Sequence, residues 1–394
     1  MPSTSQRLAS IDVFRALTML LMIFVNDLWT LVDIPLWLEH TKAQEDGMGL
    51  ADTVFPAFLF IVGLSIPFAI GGRLSKGASQ TNILGHILIR SLALLVMGFF
   101  HVNLENYNEG AALLPRAVWQ ILLTIAFFLI WLDYPSQMKK QKRWLLQGSG
   151  IALLVFLAIV YKGGHDDQVG WLKPHWWGIL GLIGWSYLLC ALVYLFSKGR
   201  LSILIAALLF FNLFNIAAKA GWLHFLQPVK PYIWITGDGS SPALTMAGVV
   251  VAVIYSGLTK KFKVAVGVLL AIGLVMLLGG FAIRPLEGIS KIRATPSWVL
   301  ICTGISTLVF AGLAILVDRY KKQNWFSVIQ PAGTSTLTAY LLPYIHYALF
   351  HIIGITLPLF LRTGIVGIIK SLLYALCIIL ITGLLEKKRL RLKI

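Results

Sequence analysis

Asp12-Val-Phe-Arg15-Ala-Leu-Thr-Met19-Leu-Leu-Met22-Ile-Phe-Val-Asn26-Asp27-Leu-Trp29-Thr-Leu31 is the stretch that decides the fold. A hydrocarbon core about 30 Å thick needs about 20 helical residues to cross it. Residues 12–31 supply that length with Asp12, Arg15 and Asp27 as their only charges. A short polar lead before an apolar run also fits a signal peptide. This run, however, passes the usual length of about 7–15 residues, and no small-x-small cleavage site precedes Asn26-Asp27. The stretch therefore reads as a retained first membrane helix.

The same ruler, laid along the rest of the chain, finds candidate spans near 52–71, 83–103, 116–132, 145–161, 176–196, 200–218, 242–258, 264–283, 297–317, 335–353 and 365–385. The short candidates at 116–132, 145–161 and 242–258, and the stretch 335–361 with Pro343 and Pro358, leave room for a broken helix. The expectation is an all-α, polytopic transmembrane helical bundle of about 10–12 spans. It forms a single domain over residues 1–394, with no internal repeat and no soluble module. Composition agrees: 58% of the chain is hydrophobic and 12% charged, against about 45–50% and 25% in soluble domains. A soluble enzyme of this length is excluded.

The formal charge of +17 does not point to nucleic acid, because Lys and Arg sit in short clusters between apolar runs. Arg73 and Lys76, Lys139 to Arg143, Lys198 and Arg200, Lys260 to Lys263, Arg319 to Lys322 and Lys387 to Lys393 fill every second gap and the C-terminal tail; Arg7 precedes the first span. The alternate gaps are longer and poorer in cations. Basic loops stay in the cytoplasm, so both termini are expected there. Cys190, Cys302 and Cys377 all fall in apolar runs and build neither a disulfide framework nor a metal site.

Ionisable groups inside a span are costly and tend to face the bundle interior or a cavity. Asp12 and Arg15 stand i,i+3 on one helix face. Asn26 follows Arg15 by three turns, about 16 Å further along that face, with Met19 and Met22 between. Two readings are open: a salt bridge with an end-capping Asn, or a polar track through the helix. The next loop is acidic, with Asp33, Glu39, Glu45 and Asp46 against Lys42, and it carries His40 and Gly47-Met48-Gly49 before Asp52. Asp52 reads as a first-turn acceptor of backbone N–H groups. His40 has the intrinsic chemistry of an acid and base near neutral pH, although a lone loop histidine is more often a bystander.

Other polar groups read more blandly. His346 and His351 stand i,i+5 with no carboxylate, which is no metal site. His165-Asp166-Asp167 reads as a solvated turn, and Asp238, between glycines, as another. Arg284, Lys291 and Arg293 make a basic loop that could bind a carboxylate or sugar, although three such cations are usually solvated. Trp171, Trp176, Trp177, Trp222 and Trp234 flank spans, where interfacial anchoring accounts for them. No nucleophile elbow, P-loop, Rossmann glycine pattern or metalloprotease motif is present.

Arg7-Leu-Ala-Ser-Ile-Asp-Val-Phe-Arg15 with Phe24-Val25-Asn26, and Asp52-Thr-Val-Phe-Pro56-Ala-Phe-Leu-Phe-Ile-Val-Gly63, resemble the heparan-α-glucosaminide N-acetyltransferase family, which includes bacterial membrane proteins. Lys291 with Thr295-Pro296-Ser297-Trp298, and the run Pro331 to Pro343, look like its C-terminal landmarks. The resemblance implies transfer of acetyl from cytoplasmic acetyl-CoA, the acyl donor, to the amine of a terminal amino sugar of glucosamine type across the membrane, with no metal. It implies a bacterial cytoplasmic (inner) membrane protein, with acetyl-CoA, the amino-sugar acceptor and the lipid bilayer as partners; no nucleic acid is implied, and an oligomer is compatible with it.

Carried over residue by residue, the family's catalytic Asn corresponds to Asn26 and its catalytic His to His40. Acceptor-side residues would be Glu39, Glu45, Asp46, Asp52, Gln120 and Lys291, and Arg15 with Asp12 would serve the donor. Two departures stand out. The interval from His40 to Asp52 is longer than the family's Trp-x-Gly arrangement, and its Arg-x-Pro-Gly-Val-Leu-Gln-Arg pattern is reduced to Val118-Trp119-Gln120, without the final Arg. A secondary transporter for a sugar or cell-wall fragment is the alternative from another class, since twelve spans with both ends inside is a frequent transporter layout. A related O-acyltransferase is a third.

Overall fold

The computed structural model describes residues 8–164, 168–236 and 238–394. Arg7, the expected turn His165-Asp166-Asp167, and Gly237 lie outside the described residues. The elements run α1 (Ala9–Asp27), α2 (Ala51–Leu74), α3 (Gln80–Val102), α4 (Arg116–Trp131), α5 (Lys140–Val160), α6 (Gly178–Phe196) and α7 (Leu201–Lys219). They continue with α8 (Ser240–Leu258), α9 (Phe262–Ala282), the single turn α10 (Arg284–Glu287), α11 (Pro296–Leu313), the short α12 (Gln330–Thr334), α13 (Thr336–Ile353) and α14 (Gly364–Lys387). Among the described residues β pairing is limited to isolated bridges such as Val32 with Thr363.

The chain is an all-helical integral membrane protein. Among the described residues, ten segments are long and apolar enough to cross a bilayer; one of them, Ser240–Ala282, contains both α8 and α9, and the shorter apolar helix Arg116–Trp131 stands beside the ten. Each expected span coincides with one long helix. None of the doubtful spans is broken: α8 is continuous over Ser240–Leu258, and α13 runs through Pro343. The span expected at 145–161 starts earlier, at Lys140, because the basic residues of its first turn can remain helical while their cationic ends reach polar surroundings.

Lipid tails are as apolar as leucine, so helices in a bilayer associate through close packing at small residues. The pairing of α2 with α8 shows this. A Cβ on Gly63 would run into the Thr245 carbonyl, and one on Gly248 into the Phe60 carbonyl. The outer helices α5 and α7 instead expose Ile151, Ile159, Phe210 and Leu213.

α1 is the central strut and is fixed at both ends. At its start, Ser10 donates from its backbone N and from Oγ (2.6 Å) to Asp318, which also accepts from Tyr255 Oη at 2.9 Å. At its end, Asp27 accepts from Tyr347 of α13 and from Lys370 and Ser371 of α14, each at 2.6 Å. Two cavities open along the strut between these anchors.

Candidate functional site

Asn26 is exposed near the C-terminal end of α1, and its amide makes no hydrogen bond among the described residues. It faces a cavity of about 610 Å³, a volume in the range of small-molecule sites. Gln120 of α4 lines the same space and is held there by donating through Nε2 to the Tyr344 carbonyl (2.6 Å). The walls add Glu105, Glu109 and Arg116 near one rim, and Trp29, Tyr347 and His351 from the strut end and α13. Trp176 donates to Glu105 Oε2 at 3.0 Å, and Arg116 Nε donates to the Leu104 carbonyl at 3.1 Å. Acidic groups, amides and aromatic rings make this a suitable surface for a polar cationic molecule.

His101 also lines this cavity. Its ring lies against Tyr344 at 4.4 Å between centroids, and neither ring nitrogen has a hydrogen-bond partner among the described residues. The sequence drew no attention to it, because a histidine in the last turn of an apolar helix looks like an end residue.

A second cavity, about 530 Å³, opens at the other end of α1. Asp12 and Arg15 line it with Ser65, Arg90 and the apolar side chains Phe58, Leu94 and Ile183. Arg15 reaches Asp12 Oδ1 and the Gly333 carbonyl, each at 3.3 Å, and donates to Ser65 Oγ at 2.7 Å. The pairing of Asp12 with Arg15 is as expected. The two cavities share Met19, Ile179 and Tyr340 among their lining residues. The salt bridge of the first reading is therefore present, while the Asn26 side chain caps nothing among the described residues and lines a cavity instead.

His40 lies in a third setting, at the same end of the bundle as Asn26 but outside the lining of either cavity. Its Nδ1 is 2.7 Å from Oδ1 of Asp52, which has no exposed surface. The second carboxylate oxygen accepts from the backbone N–H groups of Thr41 and Gly49, both at 3.0 Å. With both oxygens accepting, Nδ1 carries the proton and Nε2 is the basic nitrogen. Asp52 thus binds the loop, where the sequence suggested only its own helix turn. Trp298 Nε1 donates to the Asp52 carbonyl at 3.0 Å and fixes the start of α2 against α11.

Lys291 Nζ sits 3.3 and 3.4 Å from the two ring nitrogens of His40, a near-equal spacing that keeps it off the lone-pair axis of either. Burial pushes this lysine below its ordinary value, against the opposing pull of Asp52 and Cys302. The expectation of three solvated cations is corrected for Lys291, which is half-buried; Arg284 stays exposed and Arg293 is half-buried, each paired with a carboxylate. Arg284 pairs with Asp46 at 2.9 Å and Arg293 with Glu287 at 3.4 Å. Asp46 in turn accepts from the Ile289 N–H at 2.6 Å, while Gly47 N–H donates to the Ile289 carbonyl at 2.9 Å. The Ile289 N–H and Arg284 together hold the Asp46 carboxyl below the usual carboxylate value. The loop bearing His40 is therefore docked on the segment before α11. Glu39 is half-buried and Glu45 exposed.

The structure brings Asn26 together with Gln120, His40 with Asp52 and Lys291, and Asp12 with Arg15; it does not bring the three groups into one cavity. Asp238, expected as a simple turn, is buried, and its Oδ1 accepts from Ser240 N–H at 2.8 Å and Asn215 Nδ2 at 3.3 Å. Among the described residues, no cluster of three or more His, Cys, Asp or Glu could hold a metal ion. The sequence reading also missed the Asp27 and Lys370 pair. One signal was available: a lone lysine inside an apolar span demands a buried partner.

Residues 7–161 match the profile of the family described as heparan-alpha-glucosaminide N-acetyltransferase, catalytic. Over that stretch, the chain is similar to this family. It is 37% identical to the heparan-alpha-glucosaminide N-acetyltransferase of Mus musculus over 112 residues, which is 27% of this chain and 16% of the mouse protein. The Homo sapiens protein of the same name is 38% identical over 108 residues, 26% of this chain and 15% of its own length. The match thus spans about a sixth of these curated relatives.

The matched stretch contains Asp12, Arg15, Asn26, His40, Asp52 and Gln120. It supplies the strut and the α3 and α4 walls of the Asn26 cavity. Lys291, the α13 wall with Tyr340 and Tyr347, and Lys370 come from beyond the family-matched residues.

Proposed function

We propose that the protein is a membrane N-acetyltransferase that moves acetyl from acetyl-CoA to the amine of a terminal amino sugar. The observation that supports this most is the pair of cavities at the two ends of α1, which meet at Met19 of the family-matched stretch and at Ile179 and Tyr340 beyond it. In this reading the Arg15 cavity opens to the cytoplasm, with both chain ends on that side. Acetyl-CoA is polyanionic and does not cross a bilayer, so it meets Arg15, Arg90 and the basic loop from Lys139 to Arg143 there. The acceptor enters the Asn26 cavity from the opposite face, that of a bacterial cytoplasmic membrane.

The neutral amine attacks the thioester carbonyl carbon, the C–S bond breaks as the C–N bond forms, and coenzyme A leaves as the thiolate. His40 Nε2 takes the proton from the amine and returns it to the thiolate. A positioned base contributes about 10²–10⁴-fold in rate. The Asn26 amide donates to the developing oxyanion, where one such donor is worth about 2.7–4 kcal/mol. Glu105 and Glu109 hold the cationic acceptor before it loses its proton. This reading requires the loop between α1 and α2 to bring His40 to the rim of the Asn26 cavity when substrate is bound, a closure of the kind that completes many active sites.

The test uses proteoliposomes with acetyl-CoA on one face and glucosamine on the other. N-acetylglucosamine forming on the acceptor side supports the proposal. Glucosamine crossing unmodified in the absence of any acyl donor would favour a transporter, for which two cavities that share lining residues are equally suited.

A further inference from the structure

Met19 of α1, Ile179 of α6 and Tyr340 of α13 form the common boundary of the two cavities. Their neighbours each serve one side: Met22 lines the Arg15 cavity, and Tyr344 the Asn26 cavity. Met19 is 1% exposed and Tyr340 9%. The Tyr340 hydroxyl is 3.1 Å from that of Tyr344, and the His101 ring packs at 6.4 Å from the Tyr340 ring. One wall of the boundary is therefore a pinned aromatic ring. Met19, the α1 residue of the boundary, is an unbranched thioether that adapts its shape by rotation.

We infer that Met19, Ile179 and Tyr340 are the acyl-selecting residues of the transfer reaction, and that they restrict it to short acyl groups. This inference rests on the acyl-transfer reading above. A donor held in the Arg15 cavity can present its acyl group to the Asn26 cavity only past these three side chains. A protein interior is packed as densely as an organic crystal, so each methylene added to the acyl chain meets a side chain instead of a void. One methylene in such a setting separates substrates by about 10–200-fold. The reaction is unchanged: the thioester bond breaks as the amide bond forms, and no further reactant is needed.

The experiment compares acetyl-CoA with butyryl-CoA as donors to glucosamine, for purified wild type, Met19→Leu, Met19→Ala and Ile179→Ala. Wild type and Met19→Leu, which nearly conserves volume, are expected to favour acetyl by about 10-fold or more. Met19→Ala and Ile179→Ala are expected to raise the butyryl-to-acetyl ratio of kcat/KM by about 10-fold or more. Ile179 is only half-buried, so its variant reports even where the core substitution at Met19 lowers the yield of folded protein. Active alanine variants with the wild-type ratio would overturn the selector and leave the acyl-transfer reading standing. A wild type that transfers no acyl group from either donor would remove both.

Discussion

Nδ1 of His40 stands 2.7 Å from Oδ1 of Asp52, an exposed loop histidine oriented by a carboxylate that has no exposed surface. A bystander histidine has no need of a buried anion, whereas a general base needs its tautomer fixed. Asp52→Asn replaces one acceptor with a donor and leaves Nδ1–H without its anionic partner. Transfer is expected to fall by about 10²–10⁴-fold, with His40→Ala costing a similar amount. The double variant should be little worse than either single one, because residues acting as a unit are non-additive. Initial rates for the three variants check this; multiplying losses would contradict it.

Gly49 is required by close approach. A Cβ there would enter the Glu39 carbonyl and come within 3.1 Å of the Trp37 carbonyl, whereas at Gly47 the nearest atom would be Thr41 Cγ2 at 3.8 Å. Gly49→Ala should lower stability by about 1–3 kcal/mol, and Gly47→Ala should be tolerated. Thermal unfolding of both variants in detergent tests the contrast.

The Asp46 anchor carries a pH signature of known sign. Its carboxyl is held below its ordinary value of 3.8 by the Ile289 N–H and Arg284. A depressed carboxylate contributes its stabilisation above the unfolded value and loses it as pH falls through the folded one. Hydrogen exchange in the loop of residues 39–49, corrected for the intrinsic pH dependence, should therefore stay constant from pH 8 to 5. Protection should drop only below the ordinary carboxylate value. Loosening near neutral pH would show that another group holds the loop.

Lys291 has the opposite sign. Burial lowers it from 10.5, so the unfolded chain binds more protons and stability rises with pH between the folded and unfolded values. Below that window the charged lysine is a net cost to the fold. Lys291→Met should raise the thermal midpoint at pH 7, with the advantage shrinking as the pH approaches 10.5. A midpoint lowered at pH 7 would show that attraction to Asp52 outweighs desolvation.

Lys370 and Asp27 approach within 2.6 Å with side chains 18% and 4% exposed. Removing one partner of a buried pair typically costs about 3–5 kcal/mol, because the other charge is left uncompensated. Lys370→Met should show a loss of that order, and Asp27→Leu added to it should recover part of the stability. Thermal midpoints of the single and double variants measure the coupling.

The spans were legible because each needs only length and apolarity, both local properties. Even the 16-residue α4 and the proline-bearing α13 fall where the sequence places them. The Asp12 and Arg15 pair was legible for the same reason: i,i+3 spacing is a property of one helix. What escaped depends on residues distant in the chain. Asp52 showed itself as a helix-start acid, but its bond to His40 depends on the fold of a 12-residue separation and its support from Trp298 on one of 246. Lys291 looked solvated because nothing in its own loop hinted at a partner; the His40 ring beside it comes from 251 positions away. Asn26 was prominent, but its position opposite Gln120 required α4 to pack on α13.

Acetyl transfer from labelled acetyl-CoA to glucosamine by purified protein in detergent, with wild type beside His40→Ala and Asn26→Ala, tests the central claim most directly. The account predicts labelled N-acetylglucosamine from wild type and its loss from both variants, each still folded and binding acetyl-CoA. Full activity in either variant would remove that residue from the mechanism, and a wild type that neither binds acetyl-CoA nor transfers from it would contradict the account as a whole.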